Sequence, residues 1–206
     1  MTWIFLAGFG LCAAVHLVFC LLPDARRWRD FTKVLLMPAL LLAVIGADGP
    51  VLVKAALFLG WLGDIFLLKP DKKPFFLAGL VSFLAGHACY IPAMFPMRRF
   101  SLPVLLLLAA GFIAVGGILF LTIRRSLPGD MELPGIAYLA IILAMAWAAF
   151  STGQPVLILG AVSFVASDYT LARQLFVRKN RYGDFFVMLT YLLVQFLLAA
   201  GLCGMF

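Results

Sequence analysis

Apolar residues form long continuous runs along the chain, separated by short segments rich in Pro, Gly, Asp and basic residues. Such runs suit membrane-spanning helices, because a helix rises about 1.5 Å per residue and the hydrocarbon is about 30 Å thick. The runs lack the apolar and polar alternation of outer-membrane barrel strands. We therefore predict an all-α polytopic membrane protein with about eight transmembrane helices, at residues 2–22, 32–46, 51–68, 75–96, 101–123, 134–150, 155–176 and 184–205.

These spans leave no room for a soluble domain, so residues 1–206 are predicted to form a single transmembrane helical domain. Turn-forming pairs such as Gly49-Pro50 and Pro128-Gly129 separate the runs. Asp184 is predicted as the N-cap of the last helix. The first run has no basic residue before it and no clear cleavage site, which favours a retained span over a removable signal peptide.

Sixteen Lys and Arg against nine Asp and Glu give a formal net charge of +7. The basic residues lie in short loops and form no basic face with interleaved aromatics, so nucleic acid is not an expected partner. They concentrate in the loops that follow the first, third, fifth and seventh spans. The positive-inside rule makes these loops cytoplasmic and places both termini outside, in the inner membrane if the source is bacterial.

No metal site or cofactor is expected. The four cysteines lie inside apolar runs without paired spacing, and burial in the core is their ordinary interpretation. His87 and Cys89 are two residues apart, which directs them to different faces of a helix.

Asp64 and Asp168 stand out because each lies within an apolar run, where an acidic side chain costs about 2.5–3.5 kcal/mol on insertion scales. Each follows a small residue, Gly63 or Ser167. Both lie roughly four to eight residues from predicted cytoplasmic ends, about 6–12 Å deep at helical rise. Two carboxyls brought together in an apolar site cannot both ionise cheaply, so such a pair would supply one acid and one base.

Other polar groups are candidates for the same pocket. His87 and Tyr90 are three residues apart and share a helix face. Ser167 and Gln195 are further supporting candidates in the last two spans. Lys33 begins the second predicted span, where it would either snorkel to the interface or bind a lipid phosphate.

Two segments, residues 79–87 and 160–168, match in Gly, Ser, Phe and Ala at equal offsets. They lie on spans predicted to run in opposite directions, as in the inverted repeats of transporters. A proton-coupled lipid or small-molecule transporter, with Asp64, Asp168 and His87 as a proton relay, is therefore the alternative function. An intramembrane aspartyl protease is disfavoured, because the sequence around neither Asp matches the G-x-G-D and Y-D motifs of such enzymes.

Four segments together resemble the YhhN family, which includes the eukaryotic lysoplasmalogenases, and the similarity extends over most of the chain. They are Lys33-Val-Leu-Leu-Met-Pro38, Gly60-Trp-Leu-Gly-Asp64-Ile-Phe-Leu67, Phe83-Leu-Ala-Gly-His87-Ala-Cys-Tyr90 and Gly160-Ala-Val-Ser-Phe-Val-Ala-Ser-Asp168.

The resemblance implies an enzyme of about eight spans that hydrolyses the vinyl-ether bond of lysoplasmalogens, releasing a fatty aldehyde and a glycerophospho-base. The partners it implies are a lysophospholipid substrate and the surrounding membrane lipids. A vinyl ether is cleaved by protonating its β-carbon, and water then captures the resulting oxocarbenium ion. We therefore expect Asp64 and Asp168 to be the catalytic acid and base, as carboxylate pairs are in glycosidases.

Overall fold

A computed structural model describes residues 2–205, and in this range the chain forms eight α-helices and three short 3₁₀ turns. The all-α prediction is confirmed. The helices are α1 Thr2–Leu21, α2 Arg26–Gly46, α3 Val51–Phe66, α4 Lys73–Met94, α5 Leu102–Ile123, α6 Glu132–Ser151, α7 Pro155–Phe176 and α8 Gly183–Leu202.

Six of these helices (α1, α4, α5, α6, α7 and α8) are long and apolar enough to cross a membrane. The second helix begins at Arg26, six residues before the predicted start. The apolar run did not include these residues, but arginine is a good helix former although it is charged. The third has only 16 residues and ends at Phe66, two residues before its predicted end. Eight helices are therefore present in residues 2–205, but two fall short as spans by length or composition alone.

The last helix begins at Gly183, so Asp184 lies inside its first turn rather than at the N-cap. The predicted N-cap was wrong by two positions, because the residue that precedes the helix is Tyr182. An acidic side chain in the first turn still interacts favourably with the helix dipole.

The chain divides into two compact units. Among the described residues, the first unit comprises 2–93 and 199–205, and the second comprises 94–198. Asp64 belongs to the first unit and Asp168 to the second.

In the first unit, a buried polar contact holds α1 against α2. The Nδ1 atom of His16 lies 2.8 Å from the Thr32 hydroxyl, and the His16 side chain is fully buried. The single proton of that hydroxyl is shared with the carbonyls of Trp28 and Arg29, so the imidazole donates and the Thr32 oxygen accepts. Sequence analysis did not single out His16.

A second contact joins α2 to α3. Pro38 has no amide proton, so the carbonyl of Val34, four residues earlier, lacks its helical donor. The indole Nε1 of Trp61 donates to this carbonyl over 2.9 Å. A side chain of α3 thus replaces the hydrogen bond that proline removes from α2, and this sets the register of the two helices.

Glycines let α4 approach α3 closely. A Cβ atom on Gly63 would lie only 2.7 Å from the ring of Phe83, and one on Gly86 would lie 3.1 Å from the carbonyl of Ala56. Small residues at helix crossings of this kind are typical of membrane proteins, where close backbone packing drives association.

In the second unit, α6 packs against both α5 and α7. The Trp147 indole donates to the Leu105 carbonyl over 2.8 Å, and the hydroxyls of Thr122 and Tyr169 meet at 3.1 Å. Ser167 on α7 donates to the carbonyl of Val187 on α8 over 3.1 Å.

The bond from Trp61 makes a compensation experiment possible. Trp61→Phe should lower the free energy of unfolding in detergent by about 1–3 kcal/mol, since the partly buried Val34 carbonyl is left without a donor. Adding Pro38→Ala supplies a backbone amide to that carbonyl. Pro38→Ala should therefore raise the stability of the Trp61→Phe variant by more than it raises the stability of the wild type. Thermal unfolding of the wild type, the two single variants and the double variant measures this difference.

Trp147→Phe is the matched control, because the Leu105 carbonyl keeps the amide of Ala109 as its helical donor. It should cost less than Trp61→Phe. Equal losses, or additive effects of Trp61→Phe and Pro38→Ala, would contradict the proposed role of Trp61.

Candidate functional site

Asp64 forms an ion pair with Lys33. The Lys33 Nζ atom lies 3.3 Å from Asp64 Oδ1, joining α2 to α3 one residue away from the Val34 carbonyl. The Asp64 side chain is only 2% exposed, whereas that of Lys33 is 17% exposed. From its position in the sequence, Lys33 was expected to snorkel to the interface or to bind a lipid phosphate, and this ion pair was not expected.

The ion pair with Lys33 offsets the cost of placing the acidic Asp64 side chain in an apolar run. Trp61 and Asp64 are three residues apart and therefore share the face of α3 that meets α2. On that face the indole satisfies a carbonyl and the carboxylate meets an ammonium group. Asp64 lies two residues before the end of α3, nearer to its helix end than the predicted span implied.

Aromatic rings from α4 form the neighbouring wall. Phe83 fills the space beside Gly63, the residue before Asp64. The imidazole of His87 stacks on Phe83 with ring centroids 6.4 Å apart and an interplanar angle of 13°. His87 and Tyr90, which are three residues apart on α4, are both almost fully buried.

Asp168 has a different partner, the hydroxyl of Tyr138 on α6, which donates a hydrogen bond to the carboxyl. The second carboxyl oxygen, Oδ2, is buried and has no hydrogen-bond partner among the described residues. Asp168 lies eight residues before the end of α7. Within the second unit, Asp168 therefore meets a neutral donor where Asp64 in the first unit meets a cation.

Ser167 and Gln195, the remaining predicted supporting residues, are both buried in the second unit. The Ser167 hydroxyl is directed to the Val187 carbonyl of α8. It therefore holds α7 against α8 and leaves Asp168, its neighbour, to contact α6.

Two residues that sequence analysis missed belong to this description, Tyr138 beside Asp168 and His16 beside Thr32. Each is a polar aromatic residue within an apolar run, which is the only sequence signal that could have identified it. Spacing along the chain could not, because each partner lies on another helix.

The groups around the two aspartates comprise proton donors, a cation, hydroxyls and aromatic rings, which suit acid and base chemistry in an apolar setting. Within residues 2–205, no group of three or more His, Cys, Asp and Glu side chains is arranged to hold a metal ion.

Comparison with known proteins links these residues to a family. The sequence profile of the YhhN family matches residues 28–202, a range that includes Lys33, Asp64, Tyr138 and Asp168. The human protein named lysoplasmalogenase TMEM86B is 31% identical over 202 residues, covering 94% of this chain and 84% of its own.

A bacterial relative, named lysoplasmalogenase in Mycobacterium bovis, is 29% identical over 173 residues, or 82% of this chain and 66% of its own. Bovine lysoplasmalogenase TMEM86A is 30% identical over 148 residues, or 67% of this chain and 59% of its own. No solved structure matches the chain. The extent of the profile match, together with the human relative, shows that the chain belongs to the YhhN family.

Proposed function

We propose that this integral membrane protein is a lysoplasmalogenase-like hydrolase that cleaves the vinyl-ether bond of a lysoplasmalogen, such as lysoplasmenyl-ethanolamine or -choline. The products are a fatty aldehyde and a glycerophospho-base. Relatives from mammals and mycobacteria that bear the name lysoplasmalogenase support the reaction class. The observation that carries the chemistry is the buried ion pair of Asp64 with Lys33, which keeps a carboxylate in an apolar setting.

The reaction begins with proton transfer from a carboxylic acid to the β-carbon of the vinyl ether. The double-bond electrons form the new C–H bond, and the ether oxygen shares the positive charge of the resulting oxocarbenium ion. Water then adds to the α-carbon and loses a proton to a carboxylate. The hemiacetal so formed divides into the aldehyde and the glycerol hydroxyl of the second product, so atoms and charge balance.

The different partners of the two aspartates suggest their roles. Lys33 favours the ionised form of Asp64, which would stabilise the oxocarbenium ion and accept the proton of water. Asp168, with one oxygen bonded to a neutral hydroxyl and the other buried, would carry the proton that is transferred. Such general acid catalysis contributes about 10²–10⁴-fold to the rate of a reaction.

The supporting residues are assigned by what they contact. Tyr138 would orient the Asp168 carboxyl so that its second oxygen is the one that donates. The buried side chains of His87 and Tyr90 would line the apolar wall that α4 provides beside α3, and Gln195 would be a polar group on α8.

The alternative, a proton-coupled transporter, is not favoured by the comparisons, since the relatives carry the name of an enzyme. The human, bovine and mycobacterial names agree with one another in this respect. Its motivating feature, the match between residues 79–87 and 160–168, gains no support from them.

We also propose that all eight helices cross the membrane, with both termini outside. The ion pair with Asp64 lowers the cost of Lys33 on α2. Hydrogen-bonded turns at Leu67 and Leu68 extend the apolar segment beyond the end of α3.

The orientation can be checked by thiol labelling of a variant whose four native cysteines are replaced by alanine. A cysteine in place of Ser126 should react only from the cytoplasmic side, and one in place of Asp48 only from the outside. The basic residues predict this result through the positive-inside rule. Labelling of both positions from the same side, or the reverse pattern, would contradict the proposed topology.

Separating the catalytic from the structural role of Asp64 requires a double variant. Asp64→Asn should reduce aldehyde release from lysoplasmenyl-ethanolamine by at least about 100-fold. It should also lower stability by about 2 kcal/mol, less than for a fully buried pair because Lys33 retains some solvent contact. Adding Lys33→Gln removes the uncompensated ammonium group and should restore thermal stability without restoring aldehyde release.

Recovery of aldehyde release in the double variant would show that the ion pair is only structural, and would overturn the role proposed for Asp64.

Asp168→Asn, which removes the proposed proton donor, should also reduce the rate of aldehyde release by at least about 100-fold. Retention of full activity by that variant would overturn the two-carboxylate mechanism.

Tyr138→Phe tests the orientation of Asp168. Removal of the donor hydroxyl should lower kcat for aldehyde release by about 10-fold, a typical cost of about 1.4 kcal/mol for a lost hydrogen bond to a charged or reacting group, with little change in KM. Tyr182→Phe removes an exposed hydroxyl and is the control. Equal activity of the two variants would contradict a positioning role for Tyr138.

A further inference from the structure

A basic cleft opens between the end of α7 and the start of α8 in the second unit. Its volume is about 800 Å³, and four of its lining residues carry a positive charge. The cationic lining residues are Arg173, Arg178, Lys179 and Arg181. The guanidinium groups of Arg173 and Arg181 lie over the rings of Tyr169 and Tyr182, 5.9 and 5.5 Å from the ring centroids, and neither contact neutralises the positive charge.

The connecting loop is held in place by one side chain. The side-chain Nε2 of Gln174 donates to the backbone carbonyl of Asn180 over 3.1 Å, and its Oε1 accepts from the backbone amide of Asn180 over 2.6 Å. Gly183 leaves room for these two hydrogen bonds, since a Cβ atom there would overlap the Gln174 amide group. The loop is therefore folded back onto α7 by specific contacts, and Arg178, Lys179 and Arg181 are presented from an ordered segment.

Below the cleft, both helices expose an apolar strip. Leu159 and Val162 lie on the same face of α7 as Arg173 and are more than half exposed, at 59% and 51%. On α8, Phe186, a cleft residue, is 53% exposed and Leu193, seven residues on, is 46% exposed. The surface thus has a cationic end at the helix termini and an apolar continuation along two candidate membrane spans.

The cleft is distinct from the surroundings of Asp168. At about 100° per residue, Asp168 lies about 160–200° around the α7 axis from the cleft residues Ala166 and Thr170. Its carboxyl contacts Tyr138 on α6, whereas the cleft is formed with α8. A ligand in the cleft would therefore occupy a second site.

We propose that this cleft binds the headgroup phosphate of an anionic phospholipid, with an acyl chain lying along the apolar strip of α7 and α8. Arg173 and Arg178 would contact the phosphate, since guanidinium groups bind phosphate oxygens in paired hydrogen bonds. The anionic lipids of a cytoplasmic leaflet are complementary to a basic pocket between membrane helices. Gln174 is a positioning residue that holds the loop for this contact.

Binding can be measured on the purified full-length protein in neutral detergent with three probes. These are short-chain phosphatidylglycerol, short-chain phosphatidylcholine and inorganic phosphate. Phosphatidylglycerol should bind at least about tenfold more tightly than either of the others, because it alone combines a net negative headgroup with an acyl chain. Equal affinity for the two lipids would overturn the anionic preference, and equal affinity for inorganic phosphate would overturn the lipid assignment.

The cationic residues are tested by Arg173→Gln and Arg178→Gln. Each should weaken phosphatidylglycerol binding about fivefold, and the pair about 25-fold, as expected for the loss of one basic contact each. Arg125→Gln is the matched control in another loop of the same unit, because it removes the same charge from an exposed site outside the cleft. An equal loss in Arg125→Gln would show only general electrostatic attraction and would overturn the site.

Gln174→Ala tests whether the loop must be held. It keeps every cation but removes both bonds to Asn180. Phosphatidylglycerol binding should weaken at least threefold while the unfolding midpoint of the lipid-free protein changes little, because both bonds lie at an exposed loop. Unchanged affinity would contradict the positioning role of Gln174.

Discussion

The contact between α2 and α3 is the constraint on which the first unit depends. Proline at position 38 removes an amide from α2, and the Trp61 indole on α3 satisfies the carbonyl this leaves at Val34. One residue earlier on α2 and one turn later on α3, Lys33 meets Asp64. A carbonyl without a donor and a carboxylate without a cation would each be costly in an apolar setting. Both contacts form in the same register of α2 and α3, so this register provides the carbonyl with a donor and the carboxylate with a cation.

The second unit treats its buried carboxyl differently. The Asp168 carboxyl accepts a hydrogen bond from a hydroxyl and does not pair with a cation, and the hydroxyl of its neighbour Ser167 donates to a carbonyl of α8. Chemically identical side chains are thereby given unlike surroundings, which is how proteins obtain an acid and a base from two carboxyls. The α7 helix serves two purposes, because the opposite face from Asp168 lines the basic cleft toward α8.

Much of the fold could be predicted from the sequence, because continuous apolar runs are a direct signal of helices in a bilayer. The predicted bounds of α7 match the structure, whereas α2 extends to Arg26 because a charged segment can remain helical. Asp64 and Asp168 were identifiable by the cost of their placement. Lys33 was a candidate for another reason, but its contact with Asp64 and the contact of Tyr138 with Asp168 were not identifiable. A contact between helices depends on rotation and register, which the composition of either helix does not determine.

The proposed reaction is hydrolysis through protonation of a vinyl-ether carbon. The most direct measurement compares aldehyde release by the purified wild-type protein from lysoplasmenyl-ethanolamine and from its saturated alkyl-ether counterpart. We expect aldehyde from the vinyl ether and no cleavage of the alkyl ether, which has no double bond to accept a proton. Cleavage of both lipids at similar rates, or of neither, would contradict it.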